Sequence, residues 1–349
     1  AIPRSFVVSF VVSIALASYA SAQQVSVTDL PLIGDAVSNS AFAINNTGEA
    51  VGVSVHASAP INCVAVCRNH VGIELDLGCP ACNSVANDIN DAGDIVGGFL
   101  SGIGFLWRNG VTTVLPPLPG DTSSLARGIN NLGIVVGQSS GPTGSRPVRW
   151  INGVPEDLGV LGSNGPSTFG IAEAISDSGV IVGQTSNTGT GNLAFTWVAG
   201  VMTSLGTLPV GTCPKISSAS GINEQGVVVG QSEEGTAIPN CFLKPVRWVN
   251  GVAEALPSGA FGSALDINED GDIVGTSGPA GQQVATLWRN GESTSLGGLN
   301  GFAQSIASEI SDAGVIVARS LFPPVPTGIF RAYTVEVTPA NTLPSINVP

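Results

Sequence analysis

The sequence predicts an all-β chain closed into a ring, a seven-bladed β-propeller of four-stranded blades. Three observations carry this. A twelve-residue motif recurs seven times, a second tryptophan-bearing hairpin follows most copies, and the two ends of the repeat array complete each other.

The motif reads Ala-x-x-Ile-(Asn/Ser)-x-x-Gly-x-x-Val-Gly and begins at Ala41, Ala86, Ala126, Ala172, Ala219, Ala264 and Ala307. Ala318 replaces the final Gly of the seventh copy. The motif isoleucines, Ile44 through Ile310, recur every 40–47 residues. Each copy predicts a β-hairpin: Asn or Ser opens the turn and Gly supplies the positive φ that closes it. The second strand is apolar at successive positions, as in Val135-Val136 and Val228-Val229, which calls for cover on both faces.

Phe105 to Leu115 shows the second hairpin, with Asn109-Gly110 at its turn. The protein's five Trp all occupy this slot: Trp107, Trp150, Trp197, Trp248 and Trp288. A large apolar residue found once per repeat is read as core and not as a ligand-stacking stripe. Two hairpins in about 45 residues make one propeller blade. After the seventh motif the repeat stops at Ile329 to Val335, while Val25 to Leu30 resembles the missing partner strand, Val111 to Leu115. The last blade is therefore expected to draw on both termini, leaving no open edge.

Composition agrees. The 349 residues include 46 Gly and 23 Pro with only 11% charged residues, which suits short strands and tight turns. A net charge of −13 with 12 Lys and Arg excludes a phosphate-backbone partner and disfavours an anionic membrane. At the start, Arg4 precedes the apolar run Phe6 to Ala17, and Ala20-Ser21-Ala22 fits a signal-peptidase site. The run is shorter than the ~20 residues a spanning helix needs. The expected organisation is a signal peptide over 1–22, a propeller over 23–335 and a loose tail over 336–349. After cleavage this gives a secreted monomer with no membrane insertion.

These motifs resemble the HAF family of extracellular repeats, in which a similar Ala-x-x-Ile-Asn-x-x-Gly stretch precedes Phe-Leu-Trp and a Leu-Gly pair. The counterparts include Ala126 to Gly137, Phe195-Thr196-Trp197 and Leu205-Gly206. The resemblance spans most of residues 25–335. Departures are Cys67 and Val335 in the Trp slot and Leu115-Pro116 in place of Leu-Gly. It implies a secreted bacterial repeat protein and supplies no catalytic motif.

The short turns are expected on one rim and the uneven loops, 53–62, 138–146, 184–193, 231–243 and 319–328, on the other. Variable loops on a rigid scaffold are where binding is sought, so His56, Asp121, Glu233 and Glu234 are the rim candidates. In an exported protein Cys213 and Cys241 are expected to pair. Cys63, Cys67, Cys79 and Cys82 allow three connectivities, with Cys63–Cys79 and Cys67–Cys82 preferred over a zinc site. Asp266, Asn268, Asp270 and Asp272 match the opening of a calcium loop, but Ser277 stands where the bidentate Glu belongs. A plain turn is the preferred account, and no cofactor is expected. With only two His, His56 and His70, expected on opposite rims, a histidine-based relay is disfavoured. The functional expectation is a non-catalytic binding or structural module for a glycan or protein. The alternative is a carbohydrate hydrolase or lyase with carboxylates within about 10 Å of each other at the channel mouth.

Overall fold

The computed structural model describes residues 24–57, 62–68, 71–78, 83–162, 165, 167–187, 191–259, 261–299, 304–322 and 329–338. These form seven four-stranded antiparallel sheets arranged as a seven-bladed β-propeller. Within each blade the strands are lettered a to d from the channel outwards. Blade 1 is Ala36–Ile44, Ala50–His56, Asn62–Arg68 and Val71–Glu74; blade 2 is Ser84–Ile89, Ile95–Phe99, Ile103–Arg108 and Val111–Leu115. Blade 3 is Ser123–Ile129, Val135–Gly141, Gly144–Ile151 and Val154–Asp157; blade 4 is Gly170–Ile175, Ile181–Asn187, Gly191–Val198 and Val201–Gly206. Blade 5 is Ser217–Ile222, Val228–Gly235, Cys241–Val249 and Val252–Ala255; blade 6 is Phe261–Ile267, Ile273–Gly278, Val284–Arg289 and Glu292–Ser295.

Blade 7 confirms closure by both ends. Its strands a to c are Ser305–Ile310, Val315–Phe322 and Ile329–Thr338, and its strand d is Gln24–Asp29. Val27 lies opposite Val335, and Asp29 opposite Tyr333. Strand c runs to Thr338, three residues past the boundary expected from the repeat, because Gln24 and Val25 give it a partner there. Residues 1–23 and 339–349, which hold the signal-peptide expectation and most of the tail, lie outside the described residues.

Register explains the repeat. The Trp slot faces the tenth residue of the motif, always apolar, in every blade, with Cys67 opposite Ala50 in blade 1 and Val335 opposite Ile316 in blade 7. Consecutive apolar residues of strand b then serve two interfaces. Ile95 joins the core between blades 1 and 2, whereas Val96 joins that between blades 2 and 3. Such clusters fill all seven junctions, including that of blades 7 and 1. Trp150, Trp197, Trp248 and Trp288 are buried in them, as expected of core anchors.

Each strand a carries a β-bulge just after the motif Ala, for example between Ala126 and Gly128. The bulge drives a carbonyl towards strand b. A Cβ on Gly137 would stand 2.0 Å from the oxygen of Leu125, which is why the motif ends in Gly. At the outer turns Asn109 and Gly110 have φ of 51° and 82°, both positive, as a two-residue hairpin turn requires.

Candidate functional site

The bulges aim one side chain per blade into the central channel: Phe42, Asn87, Arg127, Glu173, Ser220, Leu265 and Ser308. The channel holds a cavity of about 840 Å³ whose lining begins at the turn rim and reaches Gln184, Gln231 and Arg319 on strands b.

Two circles of hydrogen bonds frame its mouth. In the outer circle the backbone N–H of the second turn residue donates to the side chain of its counterpart in the next blade. Asn46 donates to Asp91 at 2.8 Å, Asp91 to Asn131 at 2.9 Å and Asn131 to Asp177 at 2.7 Å. Asp177 donates to Glu224, Glu224 to Glu269 at 3.0 Å, Glu269 to Asp312 at 3.0 Å and Asp312 to Asn46 at 2.8 Å. In the inner circle the motif Asn caps its own turn and reaches across a junction. Asn90 Oδ1 accepts from the N–H of Ala92 and Asp94, while its Nδ2 donates to the Asn130 carbonyl. Where Ser176 and Ser311 replace Asn, the hydroxyl keeps the cap but is too short to cross to the next blade.

Below this frame, blades 2, 6 and 7 place Asp88, Asp266 and Glu309 at the residue following the bulge, where the other blades have Ala43, Gly128, Ala174 and Gly221. Asp88 accepts from the N–H of Ile89 and of Ile129 in the next blade, both at 2.7 Å. Asp266 accepts likewise from Ile310 at 3.0 Å. Enclosure by protein pushes Asp88 and Asp266 up to about 7, although these amide donors pull the other way. Glu309 is held well above the usual carboxylate range by burial, then by the charges of Asp88 and Asp266. On the facing wall Arg127 Nε stands 3.1 Å from Glu173, but the pair is misaligned as a hydrogen bond. Burial raises Glu173 against the pull of Arg127.

The residues singled out from sequence fare unequally. Cys213 and Cys241 form a disulfide. Cys63 and Cys67 lie on strand c of blade 1, while Cys79, Cys82 and His70 fall outside the described residues, so the other pairings do too. His56 ends strand b of blade 1, with Nδ1 2.6 Å from Asp35 and Nε2 2.5 Å from Glu74. Both ring nitrogens are thus engaged within the fold. The Asp121 side chain is only 2% exposed, held by Arg146 at 3.0 Å and Ser139 at 2.6 Å. Glu233 and Glu234 belong to strand b of blade 5, not to a loop, so they point to opposite faces. Glu233 is buried beside the disulfide. Polar, Gly-rich stretches expected as loops at 138–146, 184–193 and 231–243 are largely extended hairpin strands.

Nor do the four calcium-loop residues share a centre. Asp266 lines the channel, Asn268 Oδ1 caps the turn at the N–H of Asp272, and Asp272 is bound by Arg289. Asp272 has its acid because Arg289 faces it across the hairpin. Asp94 with Arg108 and Glu49 with Arg68 repeat the arrangement. In blades 3 to 5 the same positions are Ile134 and Ile151, Val180 and Val198, and Val227 and Val249, all apolar. Of the channel acids the sequence singled out Asp266, as a calcium candidate and not as part of the channel; Glu173, Glu309 and the mouth circle were missed, although the second turn residue is Asn, Asp or Glu in all seven motifs.

No protein-family profile and no curated protein matches the chain. Among solved structures, a triple arginine-to-alanine mutant of AofleA from Arthrobotrys oligospora aligns over 90% of both chains at 11% identity and a TM-score of 0.37. That likeness is too slight to bear on activity or ligand.

Proposed function

We propose that the protein is an exported, non-catalytic binding propeller, of the HAF repeat kind, that receives a glycan in its central channel. The observation that carries the reading is the channel's chemistry. A cavity of about 840 Å³ is walled by Asn, Gln, Ser, Asp, Glu and Arg side chains, the donors and acceptors that hydroxyl groups pair with. Rigid strands and the closed outer circle of turns hold them in place, which lowers the entropic cost of binding. The expected variable-rim surface has less to offer, since Asp121 and Glu233 are buried and His56 is engaged. Export is supported by the disulfide and by the sequence's amino-terminal pattern.

A glycan array with the full chain tests the reading, alongside Ser220→Trp, which fills the channel from its wall. The expected result is glycan binding that Ser220→Trp abolishes without lowering the melting temperature. Binding that survives this variant, or capture of a protein at the opposite rim alone, contradicts it.

A second reading, a glycan hydrolase or lyase, is favoured by one observation. Asp88 and Asp266, both raised to about 7, face a common channel with Glu309. It predicts polysaccharide turnover that Asp88→Asn or Glu309→Gln removes. Binding without turnover decides for the module.

A further inference from the structure

Arg319 stands apart from the other described arginines, Arg68, Arg108, Arg127, Arg146, Arg149, Arg247, Arg289 and Arg331, each of which lies against a carboxylate. It occupies strand b of blade 7 at the position where blades 3 to 5 carry Gln138, Gln184 and Gln231, and it lines the channel cavity. Its guanidinium lies over two aromatic rings, 4.7 Å from the centroid of Phe42 and 5.7 Å from that of Phe330. Its Nε is buried without a hydrogen-bond partner, and so is the hydroxyl of Ser308 on the adjoining strand.

A desolvated guanidinium lacking a counter-charge is costly, and burial alone lowers its pKa. Aromatic stacking offsets part of that cost and fixes the plane of the fork while leaving donors along its edge. Such a fork matches a carboxylate in a bidentate geometry. The surrounding wall points to a sugar acid more than a peptide. Gln184, Gln231, Ser218, Ser263 and Ser308 are hydroxyl-pairing groups, and Phe42 and Leu265 are the apolar residues among those at the bulges. Repulsion is moderated because Asp88 and Asp266, raised to about 7, are less than fully charged near neutrality, Glu309 and Glu173 are also held above the usual range, and the remaining acids stand in the mouth circle.

We propose that Arg319, held against Phe42 and Phe330, is the specificity residue of the channel and selects a carboxylate-bearing saccharide, a uronate, by pairing with its carboxyl group. This rests on the channel being the glycan site, and the test separates the two. Titration calorimetry on the full chain uses digalacturonate and diglucuronate, their neutral methyl esters, spermidine and a short peptide with a free carboxyl terminus. The wild type is expected to prefer an acid over its ester by about 10- to 100-fold, the worth of a charge-assisted pair. Arg319→Gln, whose side chain blades 3 to 5 already carry at this position, is expected to bind acid and ester alike with an unchanged melting temperature. Arg319→Lys keeps the charge without the fork and is expected to recover part of the preference.

Equal binding of acid and ester by the wild type, or a preference that survives Arg319→Gln, overturns the role of Arg319 and leaves the glycan channel standing. Binding of neither sugar form overturns both. Tighter binding of spermidine or of the peptide than of any uronate overturns the ligand class.

Discussion

Asp312 donates its backbone N–H to the side-chain oxygen of Asn46 at 2.8 Å, joining residues 266 apart and closing the circle of turns between blades 7 and 1. Asn46 Nδ2 returns a hydrogen bond to the Asp312 carboxylate at 2.8 Å. The bond repeats the geometry of the other six junctions, so the seam is sealed in the same way as a junction within the chain.

Replacing Asn46 by Ala is expected to cost about 1–2 kcal/mol, since two cross-blade bonds to Asp312 and the side-chain bond to Asp91 go with it. Asp312→Ala removes one of these again, the bond from Asn46 Nδ2 to its carboxylate, so the double variant is expected to be less destabilised than the sum. Urea unfolding of the four proteins gives the coupling, and strict additivity contradicts the seam.

The channel carboxyls make stability depend on pH. Asp88 and Asp266 rise from an ordinary 3.8 to about 7 in the fold, with Glu309 and Glu173 also raised. Between these limits the folded chain holds protons that the unfolded chain has released, so its stability falls as pH rises. The contribution is complete below the unfolded value and is lost through about pH 7. The melting temperature is expected to be higher at pH 5 than at pH 8, with the difference reduced in Asp88→Asn combined with Asp266→Asn. A melting temperature that climbs with pH across this window contradicts the placement of the acids.

Much of the fold was legible because one physical cause acts in every blade. The bulge demands Gly137 and its counterparts, the turn demands Asn or Ser with Gly, and the paired interfaces demand Val135-Val136 and its counterparts. The turn and the interfaces leave their mark in all seven blades, and the bulge leaves Gly in six, with the small Ala318 in the seventh. The site was not legible, because Asp88, Asp266, Glu309 and Arg319 break the repeat instead of following it. Single departures carry meaning only once the ring brings their blades face to face. Adjacency in sequence misled for Glu233 and Glu234, which the pleat of a strand separates.

Asp272 and Arg289 exemplify a choice that the hairpins of blades 1 to 6 make between an ion pair and an apolar pair. Asp272→Ala is expected to cost about 1–3 kcal/mol by leaving Arg289 partly buried without its partner. Asp272→Ile with Arg289→Ile copies blade 3, where Ile134 faces Ile151, and is expected to restore most of the loss. Because these acids serve arginine, a calcium chelator is expected to leave the melting temperature unchanged. A chelator-induced drop restores the calcium reading.

Cys213 and Cys241 join positions 28 residues apart and tie the entry to blade 5 to its strand c. Cys213→Ser with Cys241→Ser is expected to lose about 2–4 kcal/mol, read by thermal or denaturant unfolding without reductant. No change contradicts the pairing.

The account depends most on blade 7 being shared by both ends of the chain. Thr28 lies opposite Thr334 in that blade. Thr28→Cys with Thr334→Cys, oxidised in dilute solution and mapped by non-reducing peptide mass spectrometry, tests it directly. The account predicts one intramolecular disulfide peptide joining the two terminal strands. Cross-links only between separate molecules, or none, would contradict the closed ring.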